Sequence, residues 1–121
     1  MAKKILIVDD SKTALTLERT LLESTYEVIE AQDGEQALAK AKSERPDLIL
    51  LDIVMPKLDG FETCKRLRDL AETKTTPIIM VTTRGEAENI EAGYEHGCTD
   101  YVTKPINGAE LLAKVRDCVG E

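Results

Sequence analysis

The chain is poor in aromatic residues and has no long apolar run. Its 121 residues include no tryptophan, one phenylalanine and one histidine. The longest apolar runs, such as Ile5–Val8 and Leu48–Leu51, are far too short to span a bilayer. Lys3 and Lys4 lead directly into the first run, so we expect no signal peptide, no membrane insertion and a cytoplasmic location. The length predicts one compact domain over residues 1–121.

Cysteine and positive charge are also scarce. The three cysteines, Cys64, Cys98 and Cys118, form no C-x-x-C pair, and their apolar neighbours predict buried, reduced thiols. The chain has 16 lysines and arginines against 23 acidic residues, a net charge of -7 at pH 7. Nucleic-acid binding requires a basic stripe that this sequence lacks. We therefore expect protein partners and no direct binding to DNA or RNA.

Short apolar runs alternate with segments of helical periodicity along the whole chain. The runs predict five strands: Ile5–Val8, Val28–Ile29, Leu48–Leu51, Ile78–Val81 and Tyr101–Val102. The intervening segments carry apolar residues three or four apart, as in Ala14, Leu17 and Leu21, which predicts one buried face per helix. Alternating strands and helices form parallel sheets with right-handed crossovers. The predicted fold is α/β, a five-stranded parallel sheet flanked by five helices.

Polar residues follow most of the predicted strands. They are Asp9 and Asp10 after the first strand, Asp52 after the third, Thr82 and Thr83 after the fourth, and Thr103, Lys104 and Pro105 after the fifth. In doubly wound sheets, ligands bind outside the carboxyl ends of the strands. We therefore expect these residues to converge at one edge of the sheet.

The three carboxylates indicate a cation site. Taken singly, Asp9 and Asp10 could cap a helix, Asp52 could begin a turn, and Lys104 could be a surface charge. Together they would repel one another unless neutralised, and hard oxygen ligands suit Mg²⁺ or Mn²⁺. Carboxylate-bound metal, an ammonium group and a hydroxyl are the groups that stabilise phosphoryl transfer. Asp52 ends a central strand, so it is the expected nucleophile.

Five segments together resemble the receiver domains of two-component response regulators, the CheY-like family. The segments are Ile7–Ser11, Leu50–Pro56, Asp59-Gly60, Val81–Thr83 and Tyr101–Pro105. The resemblance extends over essentially the whole chain. It implies a receiver domain over residues 1–121 with the flavodoxin-like strand order 2-1-3-4-5.

The resemblance also implies a metal-dependent phosphorylation site. Asp52 corresponds to the phosphoacceptor and Asp10 to a direct Mg²⁺ ligand. Asp9 corresponds to a ligand that acts mainly through water, and the backbone carbonyl of Val54 to a third protein ligand. Because Val54 would bind through its carbonyl, an apolar side chain is acceptable there.

Two further pairs of residues acquire roles through the same resemblance. Lys104 would bind the phosphoryl oxygens, and its bond to Pro105 resembles the cis peptide of the family. Thr82 and Tyr101 resemble the switch pair, in which the hydroxyl moves toward the phosphoryl group and the ring fills the vacated space. The output surface would be formed by the fourth helix, fifth strand and fifth helix.

The resemblance implies a signalling switch that promotes its own phosphorylation and dephosphorylation, and not a turnover enzyme. The implied partners are a histidine kinase or histidine phosphotransfer protein and a downstream protein target, with a phosphatase as a further candidate. The single histidine, His96, is expected to end a helix, so the phosphohistidine would belong to another protein. Thr83 and Arg84 depart from the commonest family pattern, which leaves the phosphorylation lifetime open.

Other functions remain as alternatives. A receiver-fold interaction module that works without phosphorylation is the main one. A flavodoxin is disfavoured because Asp9 and Asp10 would repel a phosphate. A haloacid-dehalogenase-type hydrolase is disfavoured because Val54 stands where that family has its second aspartate.

Overall fold

The structure, a computed structural model, describes residues 2–53, 58–83 and 87–120. Within these ranges, strands and helices alternate from the first element to the last. The strands are β1 (Lys4–Val8), β2 (Glu27–Ala31), β3 (Leu48–Asp52), β4 (Ile78–Thr83) and β5 (Asp100–Lys104). The helices are α1 (Lys12–Leu22), α2 (Gly34–Glu44), α3 (Gly60–Asp69), α4 (Ala87–Glu95) and α5 (Gly108–Val119), with a short 3₁₀ helix at Ala71–Thr73.

The five strands form one parallel sheet in the order β2-β1-β3-β4-β5. This confirms the α/β fold and the strand order that the resemblance implied. The strands extend further than the apolar runs, because Asp52, Thr82 and Lys104 still pair with their neighbours in the ladder. Asp52 and Lys104 are therefore the last residues of their strands and Thr82 is the last but one, so none of the three lies in the loops beyond.

The sheet is covered on both faces, as its apolar strands require. Every residue of β3 is buried. One core cluster, which includes Leu6, Ile49 and Leu67, joins the sheet to α2 and α3. The other, which includes Ile5, Leu50 and Leu111, joins it to α1 and α5. Alternate residues of the central strands thus point into two separate cores.

In the ranges that the structure describes, polar side chains cap the starts of four helices. Ser11, Asp33, Asp59 and Asn107 each accept a hydrogen bond from the backbone N–H three residues later, at 2.8 to 3.3 Å. Such caps satisfy N–H groups that have no partner within the helix. The cap at Asp59 thus sets the start of α3, and the other three caps set the starts of α1, α2 and α5.

The predicted buried face of α1 is wrong. Leu17 is 51% exposed, whereas Leu15, Glu18 and Leu22 are buried. The stripe that faces the sheet is therefore displaced by one residue from the predicted one and contains a glutamate. Tyr94 of α4 is likewise a large apolar side chain at the surface, 47% exposed.

The cysteines are free thiols, and Cys64 and Cys98 are buried as expected, while Cys118 is half-buried. Burial raises the pKa of the Cys64 thiol to about 11 and that of Cys98 to about 12, which keeps both protonated near neutral pH.

His96 follows the last residue of α4, and its backbone N–H donates to Ala92 O at 3.0 Å, so it closes that helix as expected. In the described part of the chain, no helix is both long and apolar enough to cross a membrane.

Candidate functional site

Three carboxylates meet at the carboxyl edge of the sheet. Asp9 and Asp10 follow β1 directly, and Asp52 is the last residue of β3, the strand beside it. One carboxylate oxygen from each lies within 4.8 Å of the others. Asp9 is 1% exposed and Asp52 is 4% exposed, whereas Asp10 is open to solvent. The expected convergence of these residues is therefore present in the structure.

Backbone hydrogen bonds hold Asp9 in place. Its N–H donates to Ala31 O at 3.1 Å, which extends the pairing of β1 with β2 by one residue. Its Oδ1 accepts from the backbone N–H of Ser11 at 2.9 Å. Ser11 in turn caps α1, so the carboxylate is tied to the start of that helix. Asp9 is thus fixed by local structure on both sides.

Lys104 brings a positive charge to the same place. Its Nζ lies 3.5 Å from Asp9 Oδ2 and 3.6 Å from Asp52 Oδ1. Burial alone lowers the pKa of Lys104, but the charges of Asp52 and Asp9 outweigh it and raise that pKa above its usual value. The ammonium therefore stays charged. Among the described residues, one cation faces three carboxylates, which leaves an excess of negative charge. This hard oxygen donor set fits Mg²⁺ or Mn²⁺.

The chain that leaves Asp52 is packed tightly under α3. The N–H of Gly60, the first residue of α3, donates to Ile53 O at 2.9 Å. A Cβ at Gly60 would lie 2.4 Å from Asp52 O and 2.6 Å from Ile53 Cα. Glycine is required there because no side chain fits between the helix and the end of β3. Val54 and Arg84 lie outside the described residues.

Thr82 and Tyr101 lie on the neighbouring strands. Thr82, which is buried, is near the end of β4 opposite Thr103 of β5. Tyr101 is half-buried in β5, and its ring contacts that of Tyr94 edge-on, with the centroids 6.3 Å apart. The Nζ of Lys114 on α5 lies 4.7 Å from the Tyr101 ring centroid. Tyr101 thus connects β5 to both α4 and α5.

Two other features complete the site. The Lys104-Pro105 peptide is cis, as the resemblance implied. Glu18 of α1, which the sequence analysis did not single out, is buried beside the site. It lines the same cavity of about 290 Å³ as Lys104. Its spacing from Leu15 and Leu22, three and four residues, is the pattern that could have revealed it.

The fold and site define a class of doubly wound α/β protein with an acidic, lysine-containing pocket at the carboxyl edge of its sheet. The sequence model described as "Response regulator receiver domain" matches residues 5–116. The chain therefore belongs to the response regulator receiver family. Domains of this family are phosphoacceptor signalling switches and not turnover enzymes, and they typically bind Mg²⁺ in an acidic pocket.

Full-length relatives and solved structures agree with this family. Over 117 residues the chain is 49% identical to the alkaline phosphatase synthesis transcriptional regulatory protein PhoP of Bacillus subtilis, covering 96% of the chain and 48% of PhoP. It is 44% identical to the transcriptional regulatory protein ResD of the same organism, covering 93% of the chain and 46% of ResD. The chain thus spans about half the length of these relatives.

Two solved structures share the fold over nearly the whole chain. The chemotaxis protein CheY4 of Vibrio cholerae is 38% identical, with a TM-score of 0.92 and coverage of 98% of this chain and 99% of CheY4. The receiver domain of sensor histidine kinase PA1611 from Pseudomonas aeruginosa PAO1 is 31% identical, with a TM-score of 0.92 and complete coverage of both chains. That structure has a magnesium ion coordinated in the active site cleft.

Proposed function

We propose that residues 1–121 form one receiver domain in which Asp52 accepts a phosphoryl group from the phosphohistidine of a histidine kinase or histidine phosphotransfer protein. The observation that carries this proposal is the meeting of Asp9, Asp10 and Asp52 with Lys104 at one edge of the sheet. Membership of the receiver family supports two classes of partner, a kinase and a downstream effector, without identifying either protein.

Asp52 is the proposed nucleophile. An Asp52 carboxylate oxygen attacks the phosphorus, the P–N bond of the donor breaks with its electron pair going to the imidazole, and an aspartyl phosphate forms. Lys104 Nζ, 3.6 Å from Asp52 Oδ1, is close enough to bind an outer oxygen of the transferred group. Attack of water on the phosphorus later breaks the P–O bond to Asp52, which releases inorganic phosphate and restores the carboxylate. The domain thereby acts on itself and does not turn over external substrates.

The proposed cofactor is Mg²⁺, with Mn²⁺ as the alternative. Asp9, Asp10 and Asp52 would hold it, together with the backbone carbonyl of Val54, which stays a prediction because Val54 lies outside the described residues. When bound, the ion supplies positive charge that offsets the carboxylates and the oxygens of the transferred group. The magnesium in the PA1611 receiver domain supports this choice.

Thr82 and Tyr101 are the proposed switch pair. The Thr82 hydroxyl would donate to the phosphoryl group, and the Tyr101 ring would then move inward between α4 and α5. The contacts of Tyr101 with Tyr94 and Lys114 support this role, because any movement of the ring must change the surface made by α4, β5 and α5. We propose that a downstream protein binds that surface.

A phosphatase is a further candidate partner, and the cytoplasmic location expected from the sequence stays a prediction. The alternative is an interaction module that works without phosphorylation. The acceptor, the acidic pair and the lysine are all present, which favours the phosphorylated switch.

Intact mass measurement tests the proposal. The protein is incubated with acetyl phosphate and Mg²⁺, alongside a sample with EDTA in place of the metal. We expect the wild type to gain one phosphoryl group only when Mg²⁺ is present. Asp52→Asn is expected to gain none, because an amide is not a nucleophile for this reaction.

Asp69→Asn serves as the matched control, because Asp69 is an exposed carboxylate at the end of α3. It should be phosphorylated like the wild type. Equal phosphorylation of Asp52→Asn would contradict the assignment of the acceptor. No gain in the wild type, with acetyl phosphate or with a phosphorylated histidine kinase, would favour the interaction module.

A further inference from the structure

Glu18 is a buried carboxyl group that forms no hydrogen bond within the described part of the chain. It is 1% exposed, and neither of its carboxylate oxygens has a hydrogen-bond partner among the described residues. It occupies one position of the α1 stripe that is otherwise formed by Leu15 and Leu22. A buried polar group without a partner is strongly destabilising, so its presence at an apolar position calls for a physical explanation.

The cavity beside Glu18 suggests that its partner is Lys104. Besides Glu18, the polar residues lining this space of about 290 Å³ are Ser11, Thr13 and Lys104. Lys104 is the one cation among the described residues that line it. The lysine side chain is 40% exposed, so it has room to move between the carboxylates of the site and the α1 side.

The charges around Glu18 come from the phosphorylation site. Burial, and after it the charge of Asp9, raises the pKa of Glu18 to about 8, and Asp52 adds to this rise. Lys104 lowers that pKa, and Glu18 in turn raises the pKa of Lys104. The α5 residues in the core beside α1, Leu111 and Val115, are apolar. Among these groups, Lys104 is the sole source of attraction for an ionised Glu18.

We propose that Glu18 is a positioning residue that competes with the phosphoryl group on Asp52 for Lys104. Its carboxylate draws the ammonium toward α1, away from the place where phosphoryl oxygens arrive. This rests on the proposed function, since it assumes that Lys104 binds those oxygens. The ionised form of Glu18 therefore slows phosphorylation and, through Lys104, limits how strongly the phosphorylated state is stabilised, whereas the protonated form does neither.

The rate of phosphorylation by acetyl phosphate at saturating MgCl₂ tests the proposal. Wild type, Glu18→Gln and Glu18→Met are compared by intact mass at pH 8.5 and at pH 6.0. We expect both variants to react about fivefold faster than wild type at pH 8.5, a change of about 1 kcal/mol in the barrier. At pH 6.0 the difference should fall below about twofold, because the protonated carboxyl no longer attracts Lys104.

Glu23→Gln is the matched control, because it makes the same change at an exposed position at the far end of α1. It should react at the wild-type rate at both pH values. Wild-type rates for Glu18→Gln and Glu18→Met at pH 8.5 would overturn the inference. A wild type that is not phosphorylated at all would instead contradict the proposed function.

A second measurement tests whether the effect passes through Lys104. Melting temperatures are compared in EDTA at pH 8.5 for wild type, Glu18→Gln, Lys104→Met and the double variant. If the two side chains attract each other, Glu18→Gln raises the melting temperature more in the Lys104→Met background than in the wild type. Equal changes in the two backgrounds would show that Glu18 acts independently of Lys104 and would overturn the proposal.

Discussion

At the scale of single residues, Glu18 shows how one side chain can connect the core to the site. Its neighbours in the buried stripe of α1, Leu15 and Leu22, contribute only packing. Glu18 adds an ionisable group close enough to Asp9, Asp52 and Lys104 for their charges to shift its pKa. The protonation of Glu18 is therefore coupled both to the stability of the fold and to the charge of the site.

This coupling predicts that the wild type loses stability as pH rises from about 5 to 8.5. The pKa of Glu18 is about 8 in the folded protein against 4.5 as the reference for the unfolded chain. In that window the folded state keeps a proton that the unfolded state releases, so raising the pH favours unfolding. The expected loss relative to Glu18→Gln is on the order of 3 kcal/mol.

Urea denaturation in EDTA across this pH range measures the effect. Subtracting the unfolding free energy of Glu18→Gln from that of the wild type removes the contribution of the other titrating groups. Glu23→Gln should follow the wild type, since its side chain is exposed. Parallel pH profiles for the wild type and Glu18→Gln would contradict the prediction.

At the scale of elements, alternation and composition predicted most of the fold. Uninterrupted apolar runs such as Leu48–Leu51 have the length and composition of strands buried on both faces, and β3 is buried at every position. The polar residues at the strand ends predicted the site, because parallel strands bring their carboxyl ends to one edge. Asp9, Asp10, Asp52 and Lys104 are accordingly found together.

The sequence could not predict which way each helix faces. Two faces of α1 carry apolar residues at helical spacing, one containing Leu17 and the other containing Leu15 and Leu22. The second face also contains Glu18, so the first face is the more apolar and was predicted to be buried. The structure buries the stripe containing Glu18, because the packing of a whole helix outweighs one polar position. Strand order also could not follow from alternation, since many orders satisfy the same pattern, and it came from the family resemblance.

The junction of β3 with α3 leads to a prediction about glycine. A methyl group at Gly60 would meet Asp52 O and Ile53 Cα, which are backbone atoms that cannot turn aside. Gly60→Ala is therefore expected to lower the unfolding free energy by about 2 kcal/mol or more. Because the displaced backbone carries Asp52, phosphorylation by acetyl phosphate should also slow.

Gly108→Ala is the matched control, since Gly108 is likewise the first residue of a helix. A methyl group there meets only the side chain of Leu21, which can change rotamer. Its unfolding free energy should stay within about 1 kcal/mol of the wild type. The unfolding free energies of both variants are measured by denaturation, and their phosphorylation rates by intact mass. If Gly60→Ala and Gly108→Ala gave the same unfolding free energy and the same rate, the junction of β3 with α3 would tolerate a side chain.

At the scale of the whole molecule, the fold brings together charges that are far apart in the sequence. Asp9 follows β1, Asp52 ends β3 and Lys104 ends β5. The sheet therefore holds the two carboxylates close together despite their repulsion, with the ammonium between them. The excess negative charge at the site adds to the net charge of -7 of the chain. The site therefore destabilises the fold unless a cation binds, and this destabilisation is the driving force for metal binding.

Magnesium is consequently expected to raise the melting temperature of the protein. A ligand that binds only the folded state, at about 100 times its dissociation constant, adds about 2.7 kcal/mol, which for a domain of this size corresponds to roughly 10 °C. Asp10→Asn should respond much less, because it removes one ligand and part of the repulsion. NaCl at equal ionic strength separates binding from screening. If NaCl gave the same increase as MgCl₂, or if Asp10→Asn responded like the wild type, the acidic cluster would not be the metal site.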